Sequence, residues 1–266
     1  MLKYMKNLYN TDKPIIALLH LAALPGDPAF CGDMKAVTDA ARRDLIALQD
    51  GGVDAVLFSN EFSLPYQSKV EGVITAAMAR VIAELYPIIS VPYGVHVIAD
   101  QGATIELAAA CGASFVRSVF TGVYAGEGGL RAPDIASIVR RKNELGMKSL
   151  KMYYMINAES DGDVSARPLT QIAKAVIFKC APDGLCVSGM QAGGGVDSEL
   201  IASAREVSGS TPVFCNTGCN EHNVAEKLSF CDGAFVGTTF KVDGKFENDV
   251  DVLRVKRFMD AANAAR

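Results

Sequence analysis

The 266-residue chain contains no tryptophan and only three histidines, and 8% of its residues are aromatic. With so few histidines, a histidine-rich zinc site is not expected. No run of about 20 apolar residues occurs, so the sequence predicts no membrane-spanning segment. The longest basic run is Arg140-Arg141-Lys142 and the formal net charge is −4. The short basic run and the negative net charge argue against a nucleic-acid partner, because binding to nucleic acid needs a clustered cationic face.

The chain has seven cysteines, an odd number, and several fall in or beside apolar runs, such as Cys180, Cys186 and Cys215. Reduced, buried thiols explain this pattern better than disulfides. The first 13 residues also lack the apolar core of a signal peptide. We therefore expect a cytoplasmic protein. Cys215 and Cys219 are four residues apart, but no second cysteine pair or histidine pair completes a tetrahedral metal site.

Short apolar runs alternate with longer segments of helical periodicity, which predicts parallel strands joined by helical crossovers. The predicted strands are Ile15 to His20, Ala55 to Ser59, Tyr93 to Ile98, Phe115 to Phe120, Leu150 to Ile156, Gly184 to Ser188, Val213 to Asn216 and Ala234 to Gly237. An open doubly wound sheet is the alternative, but no Gly-x-Gly-x-x-Gly motif follows the first strand. Eight strands in about 250 residues predict an α/β fold, a (β/α)8 TIM barrel, with residues 1–266 forming one domain.

In such a barrel the chemistry lies where the strands end and the following loops begin. The polar residues predicted there include His20, Asn60, Glu61, Asp100, Arg117 and Ser188. Glu61 and Asp100 are candidate catalytic acids or bases, or ligands for Mg²⁺ or Mn²⁺; the alternative is that they cap helices or pair with Arg117. His20 is a candidate proton shuttle or a satisfied buried imidazole. Arg117 could bind a carboxylate or phosphate, or form a salt bridge within the barrel.

The loops after the seventh and eighth predicted strands are rich in small and hydroxyl residues. They contain Asn216-Thr217-Gly218 and Gly237-Thr238-Thr239, followed by Lys241. This is the usual position of a phosphate site in a barrel, because glycine lets backbone N–H groups approach an anion closely. We therefore predict that Asn216, Gly218, Gly237, Thr238 and Lys241 bind phosphate, together with Asn60, Arg117 and Ser188 in the same substrate site. The alternative is that both loops are simply tight turns, with Asn220 as an N-cap.

Lys151 lies within the fifth predicted strand, where a buried lysine is unfavourable unless it is paired or neutral. One interpretation is a Schiff-base lysine, as in a class of aldolases. The other is that Lys151 lies at the start of the strand and reaches solvent.

Several motifs together resemble the BtpA/SgcQ family of predicted TIM-barrel proteins. They run from His20-Leu21-Ala22-Ala23-Leu24-Pro25-Gly26-Asp27-Pro28, through Asn60-Glu61 and Cys186-Val187-Ser188-Gly189, to Asp232–Lys241. The segment Phe58–Tyr66 is most similar to the SgcQ branch. The resemblance implies a TIM barrel, in agreement with the strand count. It also associates the chain with carbohydrate metabolism, through the SgcQ members, or with photosystem I accumulation, through the BtpA members. It carries over no catalytic residue.

The sequence therefore favours an enzyme that acts on a small phosphorylated sugar or nucleoside-like compound by acid/base chemistry, as an isomerase, epimerase or lyase. The first alternative is a non-catalytic assembly or stability factor, which would need an exposed apolar patch. The second is a metal-dependent lyase that uses Glu61 and Asp100 as ligands. Barrels of this kind often assemble, so a homo-oligomer is the default expectation.

Overall fold

In the computed structural model, which describes residues 3–189, 195–216 and 218–266, eight parallel strands close into a barrel. These strands are β1 (Ile15–His20), β2 (Ala55–Ser59), β3 (Tyr93–His96), β4 (Phe115–Ser118), β7 (Lys151–Met155), β9 (Gly184–Val187), β10 (Val213–Cys215) and β11 (Ala234–Val236). They follow one another around the barrel in chain order, and β11 pairs with β1 to close it. The predicted (β/α)8 TIM barrel is confirmed.

The helices pack outside the barrel. They are α2 (Met34–Asp50), α3 (Gly72–Leu85), α4 (Gln101–Cys111), α5 (Ile135–Glu144), α6 (Leu169–Cys180), α7 (Ser198–Val207), α8 (Val224–Phe230) and α9 (Val252–Ala264). One apolar cluster lies between these helices and the strands, and a second fills the barrel interior, where Phe115, Tyr153, Phe214 and Phe235 meet. The strands are buried on both faces, which explains why they appear as continuous apolar runs in the sequence. Among the described residues, no helix is long and apolar enough to cross a membrane.

A short helix that the sequence did not predict, α1 (Lys3–Tyr9), closes the end of the barrel at which the strands begin. The Tyr9 hydroxyl lies 2.8 Å from the Tyr153 hydroxyl inside the barrel. At the same end, Lys151 Nζ lies 2.9 Å from Asp183 Oδ1 and 4.6 Å from the centre of the Tyr4 ring. The Schiff-base interpretation of Lys151 is therefore wrong, because this lysine is paired at the end of the barrel opposite the strand exits.

A small antiparallel sheet covers part of the opposite end. It consists of β5 (Tyr124–Gly126), β6 (Gly129–Arg131) and β8 (Gly162–Asp163), which come from the loops after β4 and β7. Arg131 and Asp161 join these two loops through an ion pair of 3.0 Å. Position 126 must be glycine for this packing, because a Cβ there would overlap the Asp161 carboxylate. The sheet forms one wall of the site described next.

Candidate functional site

The carboxyl ends of the strands surround a cavity of about 350 Å³. Its lining comes mainly from β1 and from the loops after β2, β7, β10 and β11, with Arg117 from β4 and Arg254 from α9. The side chains that carry chemistry there are His20, Glu61, Arg117, Glu159, Asn216, Glu221, His222, Thr238 and Arg254. The cavity therefore contains basic, acidic and imidazole groups in a small volume at the end of the barrel that normally carries function.

His20 ends β1 with its imidazole buried, and neither ring nitrogen has a hydrogen-bond partner among the described residues. Its Nε2 lies 3.9 Å from Glu61 Oε2, too far for a hydrogen bond. Burial lowers the pKa of His20 to about 4, although the negative charge of Glu61 acts in the opposite direction. His20 is therefore neutral near pH 7. A buried polar group without a partner costs free energy, so this imidazole is available to a ligand.

Gly237 provides the space that His20 occupies. A Cβ at this position would lie 3.1 Å from both Cε1 and Nε2 of the His20 ring. Close approach to the imidazole therefore explains why a glycine suits the end of β11.

Arg117 points from β4 into the centre of the barrel mouth and is 5% exposed. Its Nη1 donates a hydrogen bond of 2.9 Å to Asn216 Oδ1, and its Nη2 lies 3.4 Å from His96 Nδ1. The guanidinium lies over the face of the Phe235 ring at 5.2 Å. Among the described residues, Arg117 has no carboxylate within ion-pair distance, and its Nε has no hydrogen-bond partner. A buried cation in this state is suited to an anionic ligand.

Glu159, four residues beyond the end of β7, completes the site. Asn216 Nδ2 donates a hydrogen bond of 3.1 Å to Glu159 Oε1 and another of 2.8 Å to Ser188 Oγ. Burial raises the pKa of Glu159 from 4.5 to about 7; Arg117 opposes this rise and Glu61 adds to it. Asn216 therefore connects Arg117 with a carboxyl group that can take or release a proton near neutral pH.

A larger cavity of about 690 Å³ adjoins the first one. Only Glu61, Arg117 and Glu159 line both cavities among the described residues. The larger cavity extends toward the loop that contains Tyr66 and toward the antiparallel sheet, where it reaches Tyr124 and Arg131. Glu61 is held at the junction by Ser59 Oγ, which lies 3.1 Å from Glu61 Oε2.

Unpartnered polar atoms concentrate around the two cavities. Within the described part of the chain, six buried side-chain polar atoms lack a hydrogen-bond partner. Five of them belong to residues that line a cavity. Asp161 Oδ2 is ion-paired with Arg131, and the other four are two on His20 and one each on Arg117 and Ser118. Because buried polar groups are normally satisfied, their concentration in one place makes the strand-exit face the candidate binding site.

Comparison with known proteins assigns the family. The model of the BtpA family matches residues 11–264. The chain belongs to the BtpA family. It is 44% identical to the sgc region protein SgcQ of Escherichia coli (strain K12), over the full length of both chains. It is 27% identical to the Photosystem I biogenesis protein BtpA of Synechocystis sp. (strain ATCC 27184 / PCC 6803 / Kazusa), covering 95% of this chain and 89% of that protein. The predicted resemblance is thus confirmed.

Solved structures show that this BtpA-family barrel is shared with enzymes. N-(5'-phosphoribosyl)anthranilate isomerase from Pyrococcus furiosus superimposes with a TM-score of 0.56 over 94% of this chain and 99% of that chain. The sequence identity is 11%, so the similarity concerns the fold.

Several predicted residues of this family member do line the smaller cavity: His20, Glu61, Arg117, Asn216, Gly218, Gly237 and Thr238. Thr217, in the same predicted loop, lies outside the described residues. Gly218 adopts a φ of +68°, which explains a glycine at this turn. Asn223 occupies the N-cap position of the helix after β10 but its side chain makes no capping hydrogen bond, whereas Asn220 accepts from the backbone N–H of His222 at 2.9 Å.

Asp100 requires a correction, because its carboxylate does not line either cavity. Its Oδ1 accepts from the N–H of Ala103 at 2.9 Å, and its Oδ2 accepts from the N–H of Val70 at 3.0 Å. Lys69 Nζ is 3.6 Å from Oδ2. Asp100 is thus the N-cap of α4, and the predicted catalytic role is replaced by a structural one.

Lys241 also requires a correction. It is 2% exposed, and its Nζ pairs with Asp44 Oδ2 at 2.9 Å, while Asp44 Oδ1 accepts from the N–H of Val250. This buried pair attaches the loop after β11 to α2, and its ammonium group is directed away from the cavity. The predicted phosphate contact of Lys241 is therefore wrong.

Asn60 and Ser188 support the site without lining it. Asn60 Oδ1 accepts from the N–H of Ile98 at 2.7 Å and so joins the loops after β2 and β3. Ser188 Oγ accepts from Asn216 Nδ2, and the residue is fully buried. The predicted role in substrate binding is therefore corrected: Asn60 and Ser188 position neighbouring parts of the site.

Asp100 is also a poor partner for Glu61 in a metal site, because both of its carboxylate oxygens accept hydrogen bonds from backbone N–H groups. In the part of the chain that the structure describes, no group of three or more histidine, cysteine, aspartate or glutamate residues could hold a metal ion.

Sequence reasoning missed two candidate residues of this cavity, Arg254 of α9 and Glu159. The sequence places Glu159 two residues beyond Asn157, the first polar residue after the fifth predicted strand. The signal that could have found it is the acidic residue itself, three positions past the apolar run that ends at Ile156. Asn157 instead exchanges two hydrogen bonds with the backbone of Ser188, of 2.7 and 2.9 Å.

Proposed function

We propose that the chain is an enzyme of carbohydrate or nucleoside-type metabolism that acts on a small phosphorylated compound by acid/base chemistry, as an isomerase, epimerase or lyase. One observation carries the proposal: the His20 imidazole, which has no hydrogen-bond partner among the described residues, and the Arg117 guanidinium, which has no carboxylate partner among them, share a cavity with the carboxyl groups of Glu61 and Glu159. A purely structural barrel gains nothing from such unsatisfied groups. Substrate binding would satisfy them.

The phosphate would bind between the loops after β10 and β11. Gly218, Gly237 and Thr238 line this part of the cavity, and Arg254 reaches it from α9. Arg254 Nε donates to Thr239 O at 2.9 Å, which orients the guanidinium beside the loop after β11. Arg254 has no carboxylate partner among the described residues, so its charge is available to an anion. The phosphoribosyl compound named for the Pyrococcus furiosus isomerase gives additional support.

The proton-transfer groups would be Glu61 and Glu159, on the strand-exit side of the barrel. A carboxyl group with a pKa near 7 can both release and accept a proton at neutral pH, which suits Glu159. Neutral His20 would donate a hydrogen bond to a substrate oxygen, since its low pKa makes it a weak base. Isomerases and epimerases need one group to remove a proton from carbon and another to return it.

Arg117 would stabilise the negative charge that develops on the substrate when a proton leaves carbon. It is fixed by Asn216 and by the face of Phe235, so it is oriented before the substrate binds. A preorganised cation in a cavity with limited water is a strong source of transition-state stabilisation.

The name of the Synechocystis relative favours a second candidate, a non-catalytic assembly factor. Such a factor does not require an open polar cavity at the strand exits, whereas this barrel has one with several unsatisfied groups. A metal-dependent lyase remains a third candidate, with Glu61 and Glu159 as the two carboxylates nearest the shared part of the cavities. Addition of Mg²⁺ or Mn²⁺ tests that version.

The test is a thermal-shift series with sugar phosphates and the matching free sugars, with and without Mg²⁺, because a ligand that binds only the folded state raises the melting temperature. We expect a shift from the phosphorylated compounds that is lost in Arg254→Met. Lys256→Met is the matched control, since it removes one exposed charge from the same helix. If phosphorylated and free sugars act alike, or no compound shifts the melting temperature, the phosphate proposal fails and a protein partner becomes the better hypothesis.

A further inference from the structure

A sugar phosphate by itself does not need the larger cavity. A phosphate and a short carbon chain fit within the 350 Å³ beside the loops after β10 and β11. The adjoining 690 Å³ is comparable with cavities that bind whole small ligands, which span roughly 300–1,000 Å³. Since the two cavities meet at Glu61, Arg117 and Glu159, one molecule can extend through both.

The walls of the larger cavity are mainly apolar and aromatic. Tyr66 and Tyr124 line it, together with Leu64, Leu130 and Met155. Both tyrosine hydroxyls already donate to backbone carbonyls: Tyr66 to Glu61 O at 2.9 Å and Tyr124 to Ile156 O at 3.2 Å. Tyr66 can therefore offer its ring, and not its hydroxyl, to a ligand, whereas the Tyr124 ring is 1% exposed and is packed within the wall. Leu64 and Leu130 add exposed apolar surface, at 47% and 72% exposure.

Polar and charged side chains also line this cavity, but several of them already have protein partners: Glu61 with Ser59, Glu159 with Asn216 and Arg131 with Asp161. Ser118 Oγ is buried and has no hydrogen-bond partner among the described residues, and it faces the cavity. The Arg131–Asp161 pair lies on the side of the antiparallel sheet. A second sugar carries a hydroxyl on nearly every carbon and would need many polar partners. A flat ring with a polar edge needs only a few.

We infer that the larger cavity binds an aromatic or heteroaromatic ring that is covalently joined to the phosphorylated sugar in the smaller cavity. This inference rests on the proposed function. The substrate class is thus a ring-bearing phosphosugar, such as a nucleotide-like conjugate, and not a simple sugar phosphate. The bond between the two parts lies beside Glu61, Arg117 and Glu159, the groups suited to proton transfer.

Isothermal titration tests the inference with four phosphorylated probes and two nucleosides. The phosphorylated probes are ribose 5-phosphate, adenosine 5′-monophosphate, uridine 5′-monophosphate and nicotinic acid mononucleotide, and the nucleosides are adenosine and uridine. We expect the best ring-bearing phosphate to bind about tenfold or more tightly than ribose 5-phosphate, because ring stacking and burial add affinity. If no ring-bearing phosphate binds more tightly than ribose 5-phosphate, the inference is overturned and the proposed function stands.

Failure of the proposed function gives a different pattern. If nucleosides bind as tightly as their phosphates, the proposed ring site is supported but the proposed phosphate site is overturned. If no probe binds, both proposals are overturned.

A cavity-filling variant provides a second measurement. Gly128 lines the larger cavity, and a Cβ there would meet no atom within 4 Å, so Gly128→Trp adds a bulky side chain to the cavity wall without a clash at Cβ. Gly72, at the start of α3, is equally exposed and equally free of contacts, so Gly72→Trp is the matched control. We expect Gly128→Trp alone to remove the affinity advantage of the ring while ribose 5-phosphate still binds. An unchanged advantage in Gly128→Trp contradicts the inference.

Discussion

Glu159→Gln should make the protein more stable at alkaline pH, with a magnitude that follows from the burial of Glu159. The folded state raises the pKa of this carboxyl from 4.5 to about 7, chiefly through desolvation. Between these two values, folded Glu159 holds a proton that the unfolded chain has released. The free energy of unfolding of the wild type therefore falls as the pH rises through this window, and above pH 7 the loss is complete.

The size of the effect follows from the difference between the two pKa values. About 1.4 kcal/mol per pH unit over this window corresponds to a total loss of about 3 kcal/mol, most of it between pH 5 and pH 8. Glutamine has the same shape, remains neutral and can still accept the hydrogen bond from Asn216 Nδ2. The variant should therefore gain about 2–3 kcal/mol relative to the wild type when the pH is raised from 5 to 8.

Urea unfolding of both proteins at pH 5, 6, 7 and 8 measures how the difference in unfolding free energy between variant and wild type changes with pH. The other titrating groups are common to both proteins, so their contributions largely cancel in this difference. Glu127→Gln is the control, because Glu127 lines the larger cavity but is exposed to solvent. Equal pH dependence of the wild type and Glu159→Gln would refute the reasoning, since the carboxyl would then be no more buried than in the unfolded chain.

Three further variants test the assignments around the site. Lys241→Met should lower the free energy of unfolding by about 3–5 kcal/mol in urea titrations, because it leaves Asp44 buried without its partner; a neutral effect would contradict the structural role. Asp100→Ala should cost roughly 1–2 kcal/mol through loss of the α4 cap and leave the affinity for the bound phosphorylated compound unchanged, so a large loss of affinity would restore its predicted place in the site. Gly237→Ala should keep the fold but weaken the binding of the phosphorylated compound about tenfold or more in calorimetry, because the new methyl group displaces His20. Unchanged affinity would show that the His20 imidazole does not contact the ligand.

The architecture was predictable because it depends on patterns that are local in the sequence. Continuous apolar runs separated by helical segments are sufficient to identify parallel strands, and the strand Val213 to Asn216 agrees with β10 to within one residue. Once the fold is a parallel barrel, every strand must end on the same side. His20, Glu61, Arg117 and Asn216 could therefore be brought together from sequence alone, although they are distant along the chain.

The orientation of each side chain was not predictable in the same way. Asp100 and Lys241 lie near strand exits, as expected. The Asp100 carboxylate, however, accepts hydrogen bonds from the N–H groups of Val70 and Ala103. Lys241 pairs with Asp44, which is 197 positions away in the sequence. The strands of the antiparallel sheet are two or three residues long, too short to show a periodicity.

The sequence by itself determined the barrel, the family and the face that carries the site, because these follow from hydrophobic periodicity and from motifs along the chain. The tertiary structure decided which polar groups are left without partners, since hydrogen bonding and desolvation depend on neighbours from other elements. Glu159 illustrates this: its elevated pKa arises only where the loop after β7 is buried beside Glu61 and Arg117.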